Sequence, residues 1–182
     1  MEAWTDLYQE IAERINEKLP DIQWVDLWHE QISYLTEELP FPTPAVFISF
    51  NTNECRDLSQ LIQECDTQVD LYFFFETFSD TYIGSYNQAS AIDYLRTLTD
   101  LHTAFHGTSG ETFQTMRRVD MRREESGGAG NMYRISFVCN VEDASAQIES
   151  DKKTVNEIEL SDEAYVRPPT TDADDFFVVP KK

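Results

Sequence analysis

Basic residues are scarce in this chain. Fourteen Lys and Arg stand against 34 Asp and Glu in 182 residues, a net charge of −20. A surface that acidic repels phosphate over most of its area, which excludes a general nucleic-acid binder. Long apolar runs are also missing. The longest is the five-residue stretch Leu71–Phe75, far short of the ~20 residues a membrane helix needs, so no membrane partner is expected. The opening MEAWTDLYQE has no basic region followed by an apolar one, and synthesis in the cytosol is the expectation. Cysteine is limited to Cys55, Cys65 and Cys139, an odd set without CxxC spacing that predicts reduced thiols rather than disulfides or metal ligands.

The usual carriers of chemistry are absent too. The glycines of SGGAG join two predicted strands and lack the lysine of a phosphate-cradling loop, and nothing resembles GxSxG. His102 and His106 stand four apart, a spacing that can place two imidazoles on one metal, but the sequence offers no third ligand nearby. Histidines at a helix C-terminus are favoured by the dipole in any case. The expectation is a protein without catalytic residues, metal or cofactor.

What is present is a globular pattern, 41% hydrophobic and 13% aromatic. The organising stretch is Thr67–Phe78, TQVDLYFFFETF. Val69, Leu71, Phe73 and Phe75 fall on one side at period two, and Gln68, Asp70, Tyr72, Phe74 and Glu76 on the other. Apolar side chains on both sides at its centre predict a central strand covered on both faces.

Around it, Trp4–Leu19 reads as an amphipathic helix with Trp4, Leu7, Tyr8, Ile11, Ile15 and Leu19 as its apolar stripe and Pro20 as its stop. Ile22–Trp28 reads as a short strand and Ala45–Phe50 as a firm one. Between them, Pro40, Pro42 and Pro44 predict a stiff extended arm. Asn51–Asp66 starts as a polar turn, NTNE, and its second part fits either one helical turn or the start of a hairpin. Ser85–Phe105 is the second helix, with Ser85 as cap, Gly107 as stop and Ala91, Ile92, Leu95, Leu98, Leu101 and Phe105 buried. Thr112–Arg123 and Met132–Val141 are the last two strands. The first of these, diluted by arginine, suits an edge or an interface. The predicted fold is α+β: a mostly antiparallel sheet of four or five strands, with two helices packed on it.

Charge divides the chain into three. Residues 1–116 carry 20 acids and 4 bases. Residues 117–134 carry Arg117, Arg118, Arg122, Arg123 and Arg134 against three acids, and residues 142–182 carry 11 acids and 5 bases. An acidic body beside a basic hairpin supplies two unlike surfaces, and the four arginines from Arg117 to Arg123 are expected at a contact between subunits. From about Asp143 the chain becomes an acidic, proline-interrupted arm ending in Phe176, Phe177, Val178 and Val179. These four, with Pro40, Phe41 and Pro42, are the expected partner-docking residues. The domain is expected to span residues 1–142 and the arm residues 143–182.

The element order, WVDLW (Trp24–Trp28), PFPTPAVFISF (Pro40–Phe50) and a closing FxCxxED (Phe137–Asp143) together resemble the tail-terminator and head–tail joining family of long-tailed phages and prophages. The resemblance covers about residues 3–143 and carries no catalytic signature; the acidic arm departs from it. It implies a virion protein made in the host cytoplasm. Such a protein forms a closed ring, usually a hexamer, that caps the tail tube and meets neck, stopper or portal proteins, with DNA passing through the lumen. Two rivals come from the composition: an acidic DNA mimic that inhibits a host nuclease or restriction system, and a small metal enzyme built on His102 and His106.

Overall fold

A computed structural model of the chain describes residues 2–32, 41–76, 80–126 and 130–147. The elements are α1 (Ala3–Lys18), β1 (Trp24–Leu27), β2 (Ala45–Ser59), β3 (Ile62–Phe75), α2 (Gln88–Phe105), β4 (Arg117–Glu124) and β5 (Asn131–Asp143). The strands form one sheet in the order β1-β2-β3-β5-β4, parallel only between β1 and β2. The fold is therefore the expected α+β class, and the aromatic stretch lies on the middle strand, β3.

Both helices cover one face. Leu7, Ile11 and Ile15 of α1, and Tyr94, Leu98, Leu101 and Phe105 of α2, close over Val46, Ile48, Val69, Leu71, Phe73, Ile135 and Phe137. The i, i+4, i+8 spacing in α1 places its three aliphatic side chains in a row. In α2 the buried stripe runs through Tyr94 rather than Ile92 and Leu95, which are 42% and 57% exposed. The helix is turned from its expected phase because the Tyr94 ring stacks on Phe73 at 5.2 Å, as aromatic pairs favour. Its cap also shifts, from the expected Ser85 to Asn87, which makes no side-chain cap bond.

Among the described residues, the far face is covered at one end. There Phe47, Phe74, Ala45 and Met132 meet Ile32 and Phe41 in a second, smaller cluster, and Trp28 stacks on Tyr72 at 4.3 Å. β3 is thus apolar on both sides near its end because a helical layer covers one side and the segments flanking residues 33–40 cover the other.

Three expectations fail in the details. Asn51–Asp66 contains neither a polar turn at NTNE nor a helical turn; of the two alternatives for its second part, the start of a hairpin is the one found. β2 continues unbroken to Ser59 and turns at Gln60 and Leu61 into β3. No side chain in the outer half of β2 is buried, so that half owes its strand form to pairing rather than to a core. Cys55 and Cys65 sit opposite each other in this ladder and are disulfide-bonded, with Cα atoms 4.1 Å apart. The expectation of reduced thiols holds only for Cys139, which is buried in the main core. Burial, with Asp66 adding to it, pushes the Cys139 thiol up to about 12. Finally, Thr112–Met116 is not strand: Phe113 and Met116 plug the core ahead of β4, whereas Val119 and Met121 are exposed.

Candidate interaction surface

Among the described residues β4 is an outer strand of the sheet, paired with β5 alone. Its register fixes where the arginines point. Arg118, Met121 and Arg123 lie opposite Phe137, Ile135 and Tyr133, on the helix-covered face. Arg117, Asp120, Arg122 and Glu124 lie opposite Val138, Ser136, Arg134 and Met132, on the other. Val119 is the extra residue at a register shift between Arg118 and Asp120, as in a β-bulge. The four arginines therefore do not make one patch. They divide two and two across an edge.

On the open face the charge is largely answered. Arg122 Nε lies 3.1 Å from Glu124 Oε1 and 3.5 Å from Asp120 Oδ2. Beside it Arg134 reaches Glu124 at 3.1 Å, Asp120 at 3.8 Å and Asp70 at 4.0 Å. Asp70, on β3, is only 1% exposed. Its carboxylate accepts from Ser136 Oγ, from Asn51 Nδ2 at 3.2 Å and from Gln68 Nε2 at 3.0 Å. A buried carboxylate needs such donors to offset desolvation. The neighbouring Tyr72 phenol is pushed up to about 12 by burial, with Asp70 and Glu124 adding to it. This network was not foreseen. Its members come from β2, β3, β4 and β5, and only the sheet order brings them together.

On the helix face β4 runs beside α2. The Arg118 N–H donates to His106 Nδ1 at 3.1 Å, and Arg123 lies near the buried Tyr94 phenol, whose pKa rises chiefly through burial. His102, seven residues after Leu95 and so on the same side of the helix, feels the Arg118 charge. Burial first, then Arg118 and His106, hold its pKa below the ordinary histidine value. Leu95 of α2 is 57% exposed, and on β4 the 39% exposed Met121 lies between Arg118 and Arg123 on the helix-covered face. Among the described residues no acid lies within ion-pair distance of Arg117, Arg118 or Arg123. Ile92 and, ahead of α2, Tyr82, Ile83 and Tyr86 are also exposed, the last three at 70–94%.

His102 and His106 do approach each other, with ring centroids 4.6 Å apart. Among the described residues no group of three or more His, Cys, Asp or Glu is placed to hold a metal ion.

The remaining expected contact residues separate. Phe41 is 6% exposed and packs edge-on against Phe47 at 5.0 Å, so its ring is used inside the fold; Pro42 is exposed. Pro40 and Phe176, Phe177, Val178 and Val179 lie outside the described residues. A further exposed element is the outer β2–β3 hairpin, with Leu58 at 52% and Leu61 at 44% exposure. Leu61 has φ 67°, a left-handed conformation that disfavours a side chain of its size. No protein-family model matches the chain, and no curated protein sequence matches it.

Proposed function

We propose that this chain is a structural virion protein that assembles with copies of itself into a ring at the head–tail junction, capping the tail tube and joining it to neck or portal proteins. The reading rests on the resemblance in order and motif over residues 3–143, with which the α+β architecture agrees. The observation that carries it is the unlike chemistry of the two sides of the subunit. One outer strand bears Arg117, Arg118 and Arg123, which no described acid answers, beside the paired Arg122. Helix α1 bears Asp6, Glu10, Glu13 and Glu17 along a shallow recess of about 490 Å³. Unlike surfaces on one subunit support head-to-tail contacts, the kind that close into rings. The projecting hairpin with Leu58 and Leu61 supplies an apolar contact beyond the core.

Light scattering on the purified chain, with and without tail-tube protein, tests association. A ring-sized mass is the expected result. A monomer under both conditions contradicts it.

The DNA-mimic reading draws on the net charge alone. Arginines along a whole outer strand break the uniformly phosphate-like surface that reading needs.

A further inference from the structure

We infer that the β4 edge is the seat for residues 172–179 of a second copy of this chain, laid along β4 as an added strand. The inference deepens the proposed self-assembly by naming the contact. It rests on that reading only for the source of the segment, not for the seat itself.

The first argument is backbone chemistry. Among the described residues β4 ends the sheet, and an outer strand offers unpaired N–H and C=O groups, here beyond Arg118, whose N–H is taken by His106. Short peptides bind such edges by adding a strand, with side-chain pockets supplying selectivity. Here the helix-covered side of β4 offers the exposed Met121 between Arg118 and Arg123.

The second argument is the match of pattern. The segment reads DADDFFVV from Asp172 to Val179 and is followed by Pro180. As a strand it presents Asp172, Asp174, Phe176 and Val178 on one side, and Ala173, Asp175, Phe177 and Val179 on the other. One side carries two acids and then two apolar residues; the other carries Ala173, one acid and then two apolar residues. On β4 the helix-covered face presents Arg118, Met121 and Arg123 in turn. With Asp175 beside Arg118, Phe177 falls next to Met121 on that face. Phe and Val favour strand geometry, and Pro180, having no N–H, ends the ladder.

The third argument is reach. β5 ends at Asp143 and the described chain at residue 147. The 24 residues from 148 to 171 can extend to about 80 Å, enough to cross to a neighbouring subunit.

A labelled peptide of residues 170–182 tests the seat. The receptor is the full-length chain carrying Phe176→Ser and Phe177→Ser, so that its own tail does not compete. The expected result is saturable binding that weakens with salt, together with slowed deuterium exchange in residues 117–124. Arg118→Glu with Arg123→Glu in the receptor lowers affinity at least about 10-fold, as does replacing both Phe in the peptide. A peptide with Asp174→Lys and Asp175→Lys regains affinity for the charge-reversed receptor, an outcome that loss of folding cannot produce. No binding, or protection elsewhere than β4, overturns the seat even if the chain still forms rings. Conversely, binding at β4 stands even if purified particles lack the protein. In the wild-type chain, protection of β4 rises with protein concentration. Full protection at the lowest concentration means that the tail folds back on its own chain, and overturns the exchange between copies.

Discussion

Glu10 shows how much one side chain can organise. It sits on the outer side of α1, yet its carboxylate accepts from Thr112 Oγ1 at 2.6 Å, Thr112 N–H at 2.9 Å and Glu111 N–H at 3.1 Å. Arg14 joins the same junction, donating to Thr108 Oγ1 at 2.7 Å and lying over the Phe113 ring. Burial alone would raise the Glu10 pKa. The bonds from Thr112 and Glu111, with Arg14 beside them, outweigh it and hold the value below the usual carboxylate range. The sign follows: a depressed folded pKa adds stability that is complete above the unfolded value, about 4.3, and is lost as pH falls through the folded one. Glu10→Gln should therefore flatten the acid limb of a stability–pH curve below about pH 4.5 and cost about 1–2 kcal/mol at neutral pH, read by urea denaturation at several pH values. Gly110 belongs to the same junction, because a Cβ there would overlap the Glu10 carboxylate and approach Phe113 to 2.7 Å. Gly110→Ala should destabilise in the same assay, and by less in a Glu10→Ala background, since the two share a clash.

Among the elements, β3 and β5 were the most legible and β2 and β4 the least. The alternation of Val69, Leu71 and Phe73, and of Ile135, Phe137, Cys139 and Val141, records one buried face directly. NTNECRDLS, the outer half of β2, has no buried face to record, so its strand form and the nearness of Cys55 to Cys65 become visible only through the hairpin ladder. In β4 the register shift at Val119 sends Arg118 and Arg117 to the faces they occupy, a phase no count along the sequence supplies. The same contrast separates two mutations by size. Leu71→Ala, fully buried at the centre of the sheet, should cost about 2–5 kcal/mol in chemical denaturation. Leu58→Ser with Leu61→Ser, at the hairpin tip, should cost less than about 1 kcal/mol while reducing association measured by light scattering. In β4, Arg118→Glu with Arg123→Glu should leave the thermal midpoint nearly unchanged and weaken association. Equal association would show that these arginines are only solvated.

For the whole molecule, the class of fold was readable because both helices and three of the strands bury a periodic stripe. The proposed contact surface is readable only as composition: arginines in one stretch, acids elsewhere, apolar residues at the end. The edge that collects these arginines, the recess along α1 and the Asp70–Arg134 network depend on sheet order, which residue spacing does not encode. Truncation after Gln147 should leave the thermal midpoint within a few degrees, since Val141 is the last core residue among the described ones, while lowering incorporation into particles.

The most direct test of the structural role is quantitative mass spectrometry of purified tailed particles from the genome that encodes this chain. The account predicts the protein in intact particles at a copy number of a single small ring, far below the tail-tube subunit. Particles that lack it, while the infected cell contains it, would contradict the account.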